Sequence, residues 1–460
     1  MAHESNRIRA STTNIPLPPN ARGSLLFGNL RDLTRDRLGF GAEMQRRYGE
    51  VVSYRLGLIR FTLISHPEHV KHVLQDNHRN YTKGFVLRNL LAPLLGEGLF
   101  TAEGEHWLRQ RRLLQPVFHR KRIDAFGAIM TAETLKMLDG WGQNTETDRP
   151  IDIAGEMLRL TLTIVTRALF GADLGERARQ IDHAFSIASE HLTYRFDHPL
   201  YPPTAVPTPR NRRFRAALRA LDAIVYDLIA ERRRTGEDTG DLLSMLVFAR
   251  DEATGASMSD RQLRDEVMTL LLAGHETTAN ALTWSWHLLS RHAESEARLH
   301  AQVNTLEGRV PTISDLQRVP YARMVVEEAM RLYPPVWITH RQAIGDDEIG
   351  GFRIPPGRIV VVAPWVTHRR PDIWPQPEAF DPERFSPERA AARLRGAYIP
   401  FSLGPRQCIG MGFALTEAQL ALLTTAQRFR LCPPPGHIVE PEPLLTMRPR
   451  GGLPMLVRNR

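Results

Sequence analysis

One uninterrupted helical pattern dominates the middle of the chain, running from Ser259 to Arg291. Its apolar residues recur at intervals of three and four, which is the period of an α-helix. At 1.5 Å per residue such a helix is about 50 Å long, enough to cross a whole domain. A chain that contains it must build its core around it, and most segments from about residue 102 to 300 share the helical period. The sequence therefore predicts a mainly helical protein.

Strand patterns are confined to the two ends of the chain. Near the start, two paired strands are predicted by the alternation in VVSYRLGLIRFTLIS, and short strand signals return after residue 350 and at the C-terminus. We interpret the proline-rich stretch at 201–211 as a loop between two helices. Without a repeat or a convincing linker in the sequence, we expect residues 15–460 to form one mainly α domain with a small β region. Residues 1–14 are expected to be a flexible N-terminal segment.

Composition excludes several classes of protein. With 42% hydrophobic and 24% charged residues, the 460-residue chain has the composition of a globular protein, and its two cysteines cannot build a disulfide framework. The sequence has no signal-peptide pattern and no run of eighteen uncharged apolar residues, so we expect a cytoplasmic protein without a membrane anchor. The net charge of +9 is spread along the chain, which favours an acidic protein partner over nucleic acid.

A glycine-containing turn, FSLGPRQCIG at 401–410, holds Cys408. If Cys408 ligates a haem iron, its thiolate needs positive surroundings, which the metal, backbone N–H groups and the following helix would provide. Gly404 would permit a strained turn, and Gly410 would let the helix approach a flat macrocycle. Phe401 would shield the sulfur, and Arg406 could pair with a haem propionate. These residues together fit a buried cofactor that carries carboxylates.

This turn resembles the haem-binding signature of the cytochrome P450 superfamily, the haem-thiolate monooxygenases. The alternative, a buried structural cysteine, is the common fate of a single thiol and is our interpretation of Cys432 in LCPPPG. The resemblance covers essentially the whole chain. It implies a triangular, mostly α single-domain fold, with haem b between the long helix and the cysteine turn and with O2 as a co-substrate.

The long helix contains the segment LLLAGHETTAN at 270–280. Gly274 lowers helix stability, and the Thr277 hydroxyl can bond back to the carbonyl of Ala273, so we expect the helix to be loosened locally. The segment resembles the family's (A/G)-G-x-(D/E)-T-T motif. The resemblance implies that Ala273 and Gly274 lie beside the haem, and that Thr277 and Glu276 are the catalytic residues that deliver protons to bound dioxygen.

A charge network is suggested by Glu328 and Arg331, which share a helix face at i, i+3 spacing, and by Arg384 in DPERF. Alone, the pair would be an ordinary solvated ion pair. The resemblance implies that the three residues form a buried network that supports the haem pocket.

Candidates for binding the haem propionates come from two other segments. Trp107 and Arg111 lie one helical turn apart in EHWLRQRR. The resemblance implies that both contact the haem edge, with Arg341 as a third candidate and its neighbour His340 as a possible substitute.

The resemblance also implies a mostly apolar substrate pocket, which favours a lipophilic small molecule such as a terpenoid, carotenoid or fatty acid. The predicted lining residues are Phe85, Leu90, Leu94, Ala273, Thr277, Val336, Trp337, Ile338 and Leu445, with the loop region at 185–215.

Electrons from NAD(P)H are expected to arrive through a separate ferredoxin or flavodoxin and its reductase, because only 52 residues follow Cys408. These electron carriers are usually acidic, and cationic side chains would favour their docking. The predicted contributors are Arg109, Arg112, Arg120, Lys121 and Arg122. A monomer is expected.

Three other functions are compatible with parts of the sequence. His275 and Glu276 begin a zinc-protease HExxH pattern, but Ala279 stands where the second histidine is required. A peroxide-driven haem-thiolate enzyme or isomerase would need no electron donor, and a haem sensor or carrier would need no proton delivery. The acid–threonine pair favours the monooxygenase over both.

Overall fold

The computed structural model describes residues 15–142, 149–171, 176–198, 200–251 and 254–460. The predicted flexible segment 1–14 lies outside the described residues. Two compact units are formed by segments that are distant in sequence. The first unit contains residues up to 85 with 331–379 and 387–408, and the second contains 86–330, 380–386 and 409–460. Helices account for 57% of the chain, which confirms the predicted mainly α class.

Sixteen α-helices occur in the described ranges. They are α1 (Leu30–Arg35), α2 (Arg37–Tyr48), α3 (Pro67–Lys71), α4 (Phe85–Leu95), α5 (Gly104–Leu114), α6 (Arg120–Asp139), α7 (Ile153–Phe170), α8 (Glu176–Asp197), α9 (Pro209–Thr235), α10 (Leu242–Phe248), α11 (Asp260–Leu289), α12 (Ala293–Asn304), α13 (Pro320–Leu332), α14 (Pro364–Thr367), α15 (Pro387–Ala391) and α16 (Met411–Arg428).

The described part of the chain also contains four small sheets. Their strands are β1 (Val51–Leu56), β2 (Ile59–Ile64), β3 (Tyr81–Thr82), β4 (Ile151–Asp152), β5 (Thr339–Ala343), β6 (Asp347–Ile349), β7 (Phe352–Ile354), β8 (Ile359–Val362), β9 (Phe429–Cys432), β10 (Pro441–Pro443), β11 (Met447–Pro449) and β12 (Pro454–Asn459). The first unit holds a five-stranded sheet in the order β1-β2-β8-β5-β3 and the hairpin β6-β7. The second unit holds β4-β12-β9 and β10-β11.

The five-stranded sheet is buried on both faces at β8. Val360 and Val362 belong to one buried apolar cluster, whereas Ile359 and Val361 belong to another. Successive side chains of a strand point to opposite faces, so four consecutive apolar residues require a covered strand of this kind. The predicted hairpin near the start is confirmed as β1 and β2, which pair antiparallel.

The long helix α11 is the core of the second unit, and most of its side chains are buried. It begins with a capping box in which the Ser259 hydroxyl accepts from the Gln262 backbone while the Gln262 side chain binds the backbone of Ser259. The predicted span of 259–291 is confirmed to within two residues at each end. A Cβ atom at Gly274 would lie 3.0 Å from the Val165 side chain, so the glycine lets α7 pack closely against α11.

The proline-rich stretch at 201–211 lies in the connection between α8 and α9, as predicted, although α9 already begins at Pro209. Most of the wider region 185–215, expected to be loop, is therefore helical. Among the described residues, no helix is long and apolar enough to cross a membrane.

Candidate functional site

The cysteine turn of the first unit is closed by its own backbone. The N–H of Cys408 donates to the carbonyl of Phe401 at 2.9 Å, and the N–H of Gln407 donates to that of Gly404 at 3.0 Å. Phe401 and Arg406 are half-buried, whereas Cys408 is exposed. Cysteine is one of the most frequently buried residue types, so an exposed thiol in a well-defined turn is better suited to ligating a metal than to filling a core.

Gly404 is required by both conformation and space. Its φ of +71° lies in the left-handed region, and a Cβ atom there would lie 2.2 Å from the carbonyl oxygen of Leu74. The glycine therefore lets the turn pack against the chain that follows α3. Gly410 differs, since its φ of −86° is open to any residue and it serves as the N-cap of α16. If position 410 requires glycine, the reason is therefore limited space for a side chain and not the backbone conformation.

The segment at 270–280 presents small residues along one side of a largely buried helix. Ala273 is exposed, and Gly274 and Thr277 are half-buried, whereas His275 and Glu276 between them are buried. The predicted back-bond is confirmed, because the Thr277 hydroxyl donates to the Ala273 carbonyl at 2.6 Å. α11 is assigned as helix without a break from Asp260 to Leu289, and a local loosening within it at Gly274 and Thr277 stays a prediction.

Glu276 turns its carboxyl group toward the C-terminal segment. Burial raises its pKa, while a hydrogen bond from the Thr446 side chain and the charge of Arg448 oppose that rise. The Asn280 side-chain amide donates to the Thr446 hydroxyl at 3.0 Å. The Oε2 atom of Glu276 is buried and has no hydrogen-bond partner among the described residues. Burial therefore favours the protonated form of this carboxyl group, which is the form that can donate a proton.

Asn280 and Thr446 were missed by the sequence reasoning. Asn280 lies one turn after Glu276 on the same helix face, which was a usable signal. Thr446 is 170 positions away from Glu276 in the sequence, and no spacing rule connects them.

Glu328 and Arg384 form a buried ion pair in the second unit. Nε of Arg384 lies 3.4 Å from Oε1 of Glu328, and both side chains are at most 5% exposed. The same Glu328 oxygen accepts the backbone N–H of Asp381 at 2.9 Å. The pair therefore fixes the DPERF turn to α13.

Arg331 organises the proline-rich meander of the first unit. It is completely buried. Its guanidinium group donates to the carbonyl oxygens of His368, Pro377 and Ala379 at 3.0, 2.6 and 2.9 Å. These bonds replace the hydration that a buried guanidinium loses, so Arg331 holds three parts of one loop together.

The candidates for propionate binding lie on α5 and β5. Trp107 and Arg111 are half-buried on α5. Arg341 is buried on β5, and its Nη1 donates to the carbonyl of His340 at 2.8 Å. Burial, with the charges of Arg341 and Lys83, lowers the pKa of His340 to about 4. At neutral pH His340 is therefore uncharged, and Arg341 is the cation of this pair.

The predicted pocket residues differ in their exposure. Phe85 and Val336 are exposed, Leu90 and Leu445 are half-buried, and Leu94 has no exposed surface. Trp337 and Ile338 line a small apolar cavity inside the first unit, against α2. Their contribution to substrate binding remains a prediction.

Two of the five predicted docking cations are engaged within the second unit. Arg112 forms an ion pair with Asp251 at 3.0 Å, and Arg109 donates to the carbonyl of Ser257 at 3.1 Å. The side chains of Arg120, Lys121 and Arg122 are exposed at the start of α6.

Three consecutive charged residues of α11 hold the segment that follows α4. Oε2 of Glu266 accepts the Leu99 N–H at 3.0 Å, and Oδ2 of Asp265 accepts the Glu97 N–H at 3.0 Å. The neighbouring Arg264 donates to the Leu94 carbonyl at 2.8 Å. Burial raises the pKa of Glu266 to about 8, with Asp265 adding to the rise and the Leu99 N–H opposing it. The sequence analysis did not use these three residues, although consecutive charged residues in an otherwise apolar helix indicate buried polar contacts.

The residues of each unit fit the haem that the sequence resemblance implies. The first unit presents an exposed thiol in a closed turn and a buried cation at Arg341. The second unit presents an exposed strip of small residues with a buried acid beside it. A thiolate ligand, a cation for a propionate and a close-approach surface are the groups that a haem-thiolate site needs.

Comparisons with known proteins agree with this chemistry. The family model described as Cytochrome P450 matches residues 18–454. The chain is 41% identical over 428 residues to cyclooctatin synthase of Streptomyces melanosporofaciens, covering 92% of each. It is 40% identical over 419 residues to cyclooctat-9-en-7-ol 5-monooxygenase of the same organism, covering 90% of each. The crystal structure of the cytochrome P450DA haem domain has a TM-score of 0.88 at 27% identity, covering 97% of this chain and 98% of that one.

The family match over most of the chain identifies a haem-dependent monooxygenase. The chain belongs to the cytochrome P450 family, whose members use a haem-thiolate centre and O2. The predicted single-domain cytochrome P450 fold is thereby confirmed.

Proposed function

We propose that this cytochrome P450 inserts one oxygen atom from O2 into a lipophilic, terpenoid-like small molecule. Electrons come from NAD(P)H through a separate ferredoxin or flavodoxin and its reductase. The observation that carries the proposal is that a half-buried Thr277 hydroxyl follows directly after the buried carboxyl group of Glu276 on α11, and that burial raises the pKa of this carboxyl group. A haem sensor or a peroxide-driven enzyme has no use for this pair.

Cys408 is proposed as the iron ligand. Haem bound there supplies the iron that activates dioxygen, and a thiolate ligand favours O–O cleavage. The Phe401 carbonyl accepts the Cys408 N–H, so the backbone of Cys408, and with it the direction of the Cα–Cβ bond, is held in place. Trp107, Arg111 and Arg341 are the proposed partners of the haem carboxylates, Arg341 as a fixed buried cation.

Thr277 and Glu276 are proposed to control the protons. The Thr277 hydroxyl donates to the carbonyl of Ala273, one turn earlier in the helix. A rotation of the Thr277 side chain makes the same O–H available to a bound ligand. Burial disfavours the charged form of Glu276 and raises its pKa, which favours a carboxyl group that keeps its proton. The hydrogen bond from Thr446 orients the carboxyl group and moderates the rise in its pKa. The acid therefore holds its proton while remaining able to release it.

The substrate class is proposed from the apolar character of the predicted pocket and from the relatives. One relative bears a name that describes oxygenation at carbon 5 of an unsaturated alcohol. A mostly hydrocarbon substrate with at most one or two hydroxyl groups suits a lining such as Phe85, Leu90 and Val336. Carotenoids and fatty acids are also lipophilic but lack the compact ring systems of small terpenoids.

The electron donor is proposed to be an acidic protein. Arg120, Lys121 and Arg122 form an exposed run of three cations, and such a run raises the association rate with an acidic partner. We propose the cytoplasm as the location, where a thiol such as Cys408 is kept reduced.

Reconstitution tests these assignments together. The purified haem protein is incubated with a ferredoxin, its reductase and NADPH, and a library of terpene hydrocarbons, terpene alcohols, carotenoids and fatty acids. We expect a monohydroxylated terpenoid whose new oxygen derives from 18O2 and whose formation requires the electron chain. Product from hydrogen peroxide alone would contradict the proposed electron supply. Oxidation of fatty acids or carotenoids only would contradict the substrate class.

A further inference from the structure

A cluster of ligand-type side chains lies at the open end of the β1–β2 hairpin, within the first unit. Glu50 immediately precedes β1, and the N–H of Ser65, which follows β2, donates to the Glu50 carbonyl at 3.1 Å. The next residue, His66, is the N-cap of α3, and His69 lies one turn further on. Hairpin pairing and helical spacing therefore bring one carboxylate and two imidazoles together.

We propose that Glu50, His66 and His69 form a binding site for a divalent transition-metal ion of the zinc type. One ligand atom from each residue lies within 4.8 Å of the others, and the rings of His66 and His69 are 5.4 Å apart. Ligand atoms in a tetrahedral zinc site are about 3.3 Å apart, as follows from bonds of roughly 2.0 Å. All three side chains are half-buried, so modest rotations about their side-chain bonds can close this gap.

The two imidazoles have lone pairs available. Nδ1 of His69 is buried and has no hydrogen-bond partner among the described residues. The Cε1–Nε2 edge of the ring abuts Gly350, where a Cβ atom would lie 2.9 Å from both atoms. This contact fixes the ring and leaves Nδ1 as the ligand atom. Nδ1 of His66 accepts the Glu68 N–H at 3.3 Å, a long hydrogen bond that coordination to a metal would replace.

Arg370 orients the carboxylate. Its Nη2 lies 2.5 Å from Oε1 of Glu50 and 2.6 Å from Oδ2 of Asp372, and its side chain is 5% exposed. Hydrogen bonds from such outer residues hold metal-ligating carboxylates in place. The second oxygen of Glu50 can then face the metal. Among the charged side chains that act on His69, the carboxylates of Glu50 and Glu68 favour a cation, whereas Arg370 and a protonated His66 oppose it. Arg370 is itself paired with Asp372, which reduces its opposition to a bound cation.

The site would bind zinc through one oxygen and two nitrogen ligands, with water completing the tetrahedron. The bound ion would connect the start of β1, the end of β2 and α3. It would therefore stabilise the first unit without touching the proposed chemistry at Cys408 and Thr277, and it does not depend on the proposed substrate.

Titration calorimetry on the full-length haem protein, first stripped with a chelator, tests the site with Zn2+ as the probe. We expect one equivalent to bind and to raise the thermal midpoint, with an unchanged haem spectrum. H66A and H69A should each weaken binding about tenfold or more, and the double variant should abolish it. H119A, at an exposed N-cap histidine of α6, should bind as the parent does.

Glu50→Gln supplies a variant that keeps both histidines and the shape of the side chain, so it remains informative if a histidine variant folds poorly. It should also weaken Zn2+ binding. In the presence of a chelator, its thermal midpoint should be close to that of the parent protein. Absence of saturable binding to the parent would overturn the proposal. So would equal binding by the parent and the folded double variant, because the ion would then lie elsewhere.

Discussion

The hydroxyl of Thr277 donates a 2.6 Å hydrogen bond to the carbonyl of Ala273, one turn earlier on α11. Thr283 makes the same bond to Ala279 at 2.7 Å in the same helix. The two threonines differ in their surroundings, since Thr277 is half-buried beside the exposed Ala273 whereas Thr283 is 1% exposed. The helix therefore contains both a candidate proton donor and a natural control for it.

Thr277→Ala should separate NAD(P)H consumption from product formation. The variant loses the hydroxyl that we propose delivers protons, so product per NAD(P)H should fall on the order of tenfold or more, with hydrogen peroxide as the by-product. Haem content should be unchanged. Thr283→Ala loses the same kind of hydrogen bond to the backbone, and its product formation should remain coupled to NAD(P)H consumption. Equal coupling in the parent and the Thr277 variant, measured as product and peroxide per NAD(P)H, would remove Thr277 from the mechanism.

Local patterns predicted the elements of this fold well. The Ser259 to Arg291 helix and the back-bond of Thr277 depend on contacts within one or two turns, which spacing alone determines. Contacts between distant segments were not accessible in the same way. The bond of Thr446 to Glu276 depends on the path of the whole chain, as do the three loop carbonyls that Arg331 binds, because no short-range rule selects partners about 40 to 170 positions away.

Glu328→Gln should destabilise the protein strongly. The change removes the charge of the nearer carboxylate that faces the buried Arg384, and breaking such a buried pair costs about 3–5 kcal/mol. Glu383→Gln is the matched control: Glu383 lies beside Arg384 in the sequence and pairs at 3.0 Å with Arg298 on the surface. It should cost less than about 1 kcal/mol. Urea unfolding midpoints compare the two, and similar small losses would show that the buried pair contributes little.

Gly404→Ala should disrupt the cysteine turn. A left-handed φ costs a non-glycine residue about 1–2 kcal/mol, and the new Cβ atom would also meet the Leu74 carbonyl. Gly436 has the same φ of +71°, but a Cβ atom there would have no neighbour within 4 Å, so Gly436→Ala isolates the conformational cost. Thermal midpoints and haem content should fall further in the Gly404 variant. Equal losses would mean that the turn can move away from Leu74 without harm.

Glu266→Gln should change how stability depends on pH. The pKa of Glu266 is raised from an ordinary 4.5 to about 8. Between these values the folded protein keeps a proton that the unfolded chain releases. The contribution of Glu266 to the free energy of unfolding is therefore fully present below pH 4.5. It decreases by about 1.4 kcal/mol per pH unit as the pH rises toward 8.

The glutamine variant is neutral at every pH and can still accept the Leu99 N–H. Its free energy of unfolding should therefore increase relative to that of the parent as the pH is raised from 5 to 8. Urea unfolding of both proteins at each pH measures this difference. A constant difference between the two proteins across this range would contradict the raised pKa.

The proposed chemistry depends on ligation of the haem iron by the sulfur of Cys408. The most direct measurement is the absorption spectrum of the reduced, carbon monoxide-bound protein, taken for Cys408→Ser and for Cys432→Ser as the matched control. We predict that the Cys408 variant loses the band of thiolate-ligated haem and that the Cys432 variant keeps it. Persistence of that band in Cys408→Ser, or its loss in Cys432→Ser alone, would contradict the account.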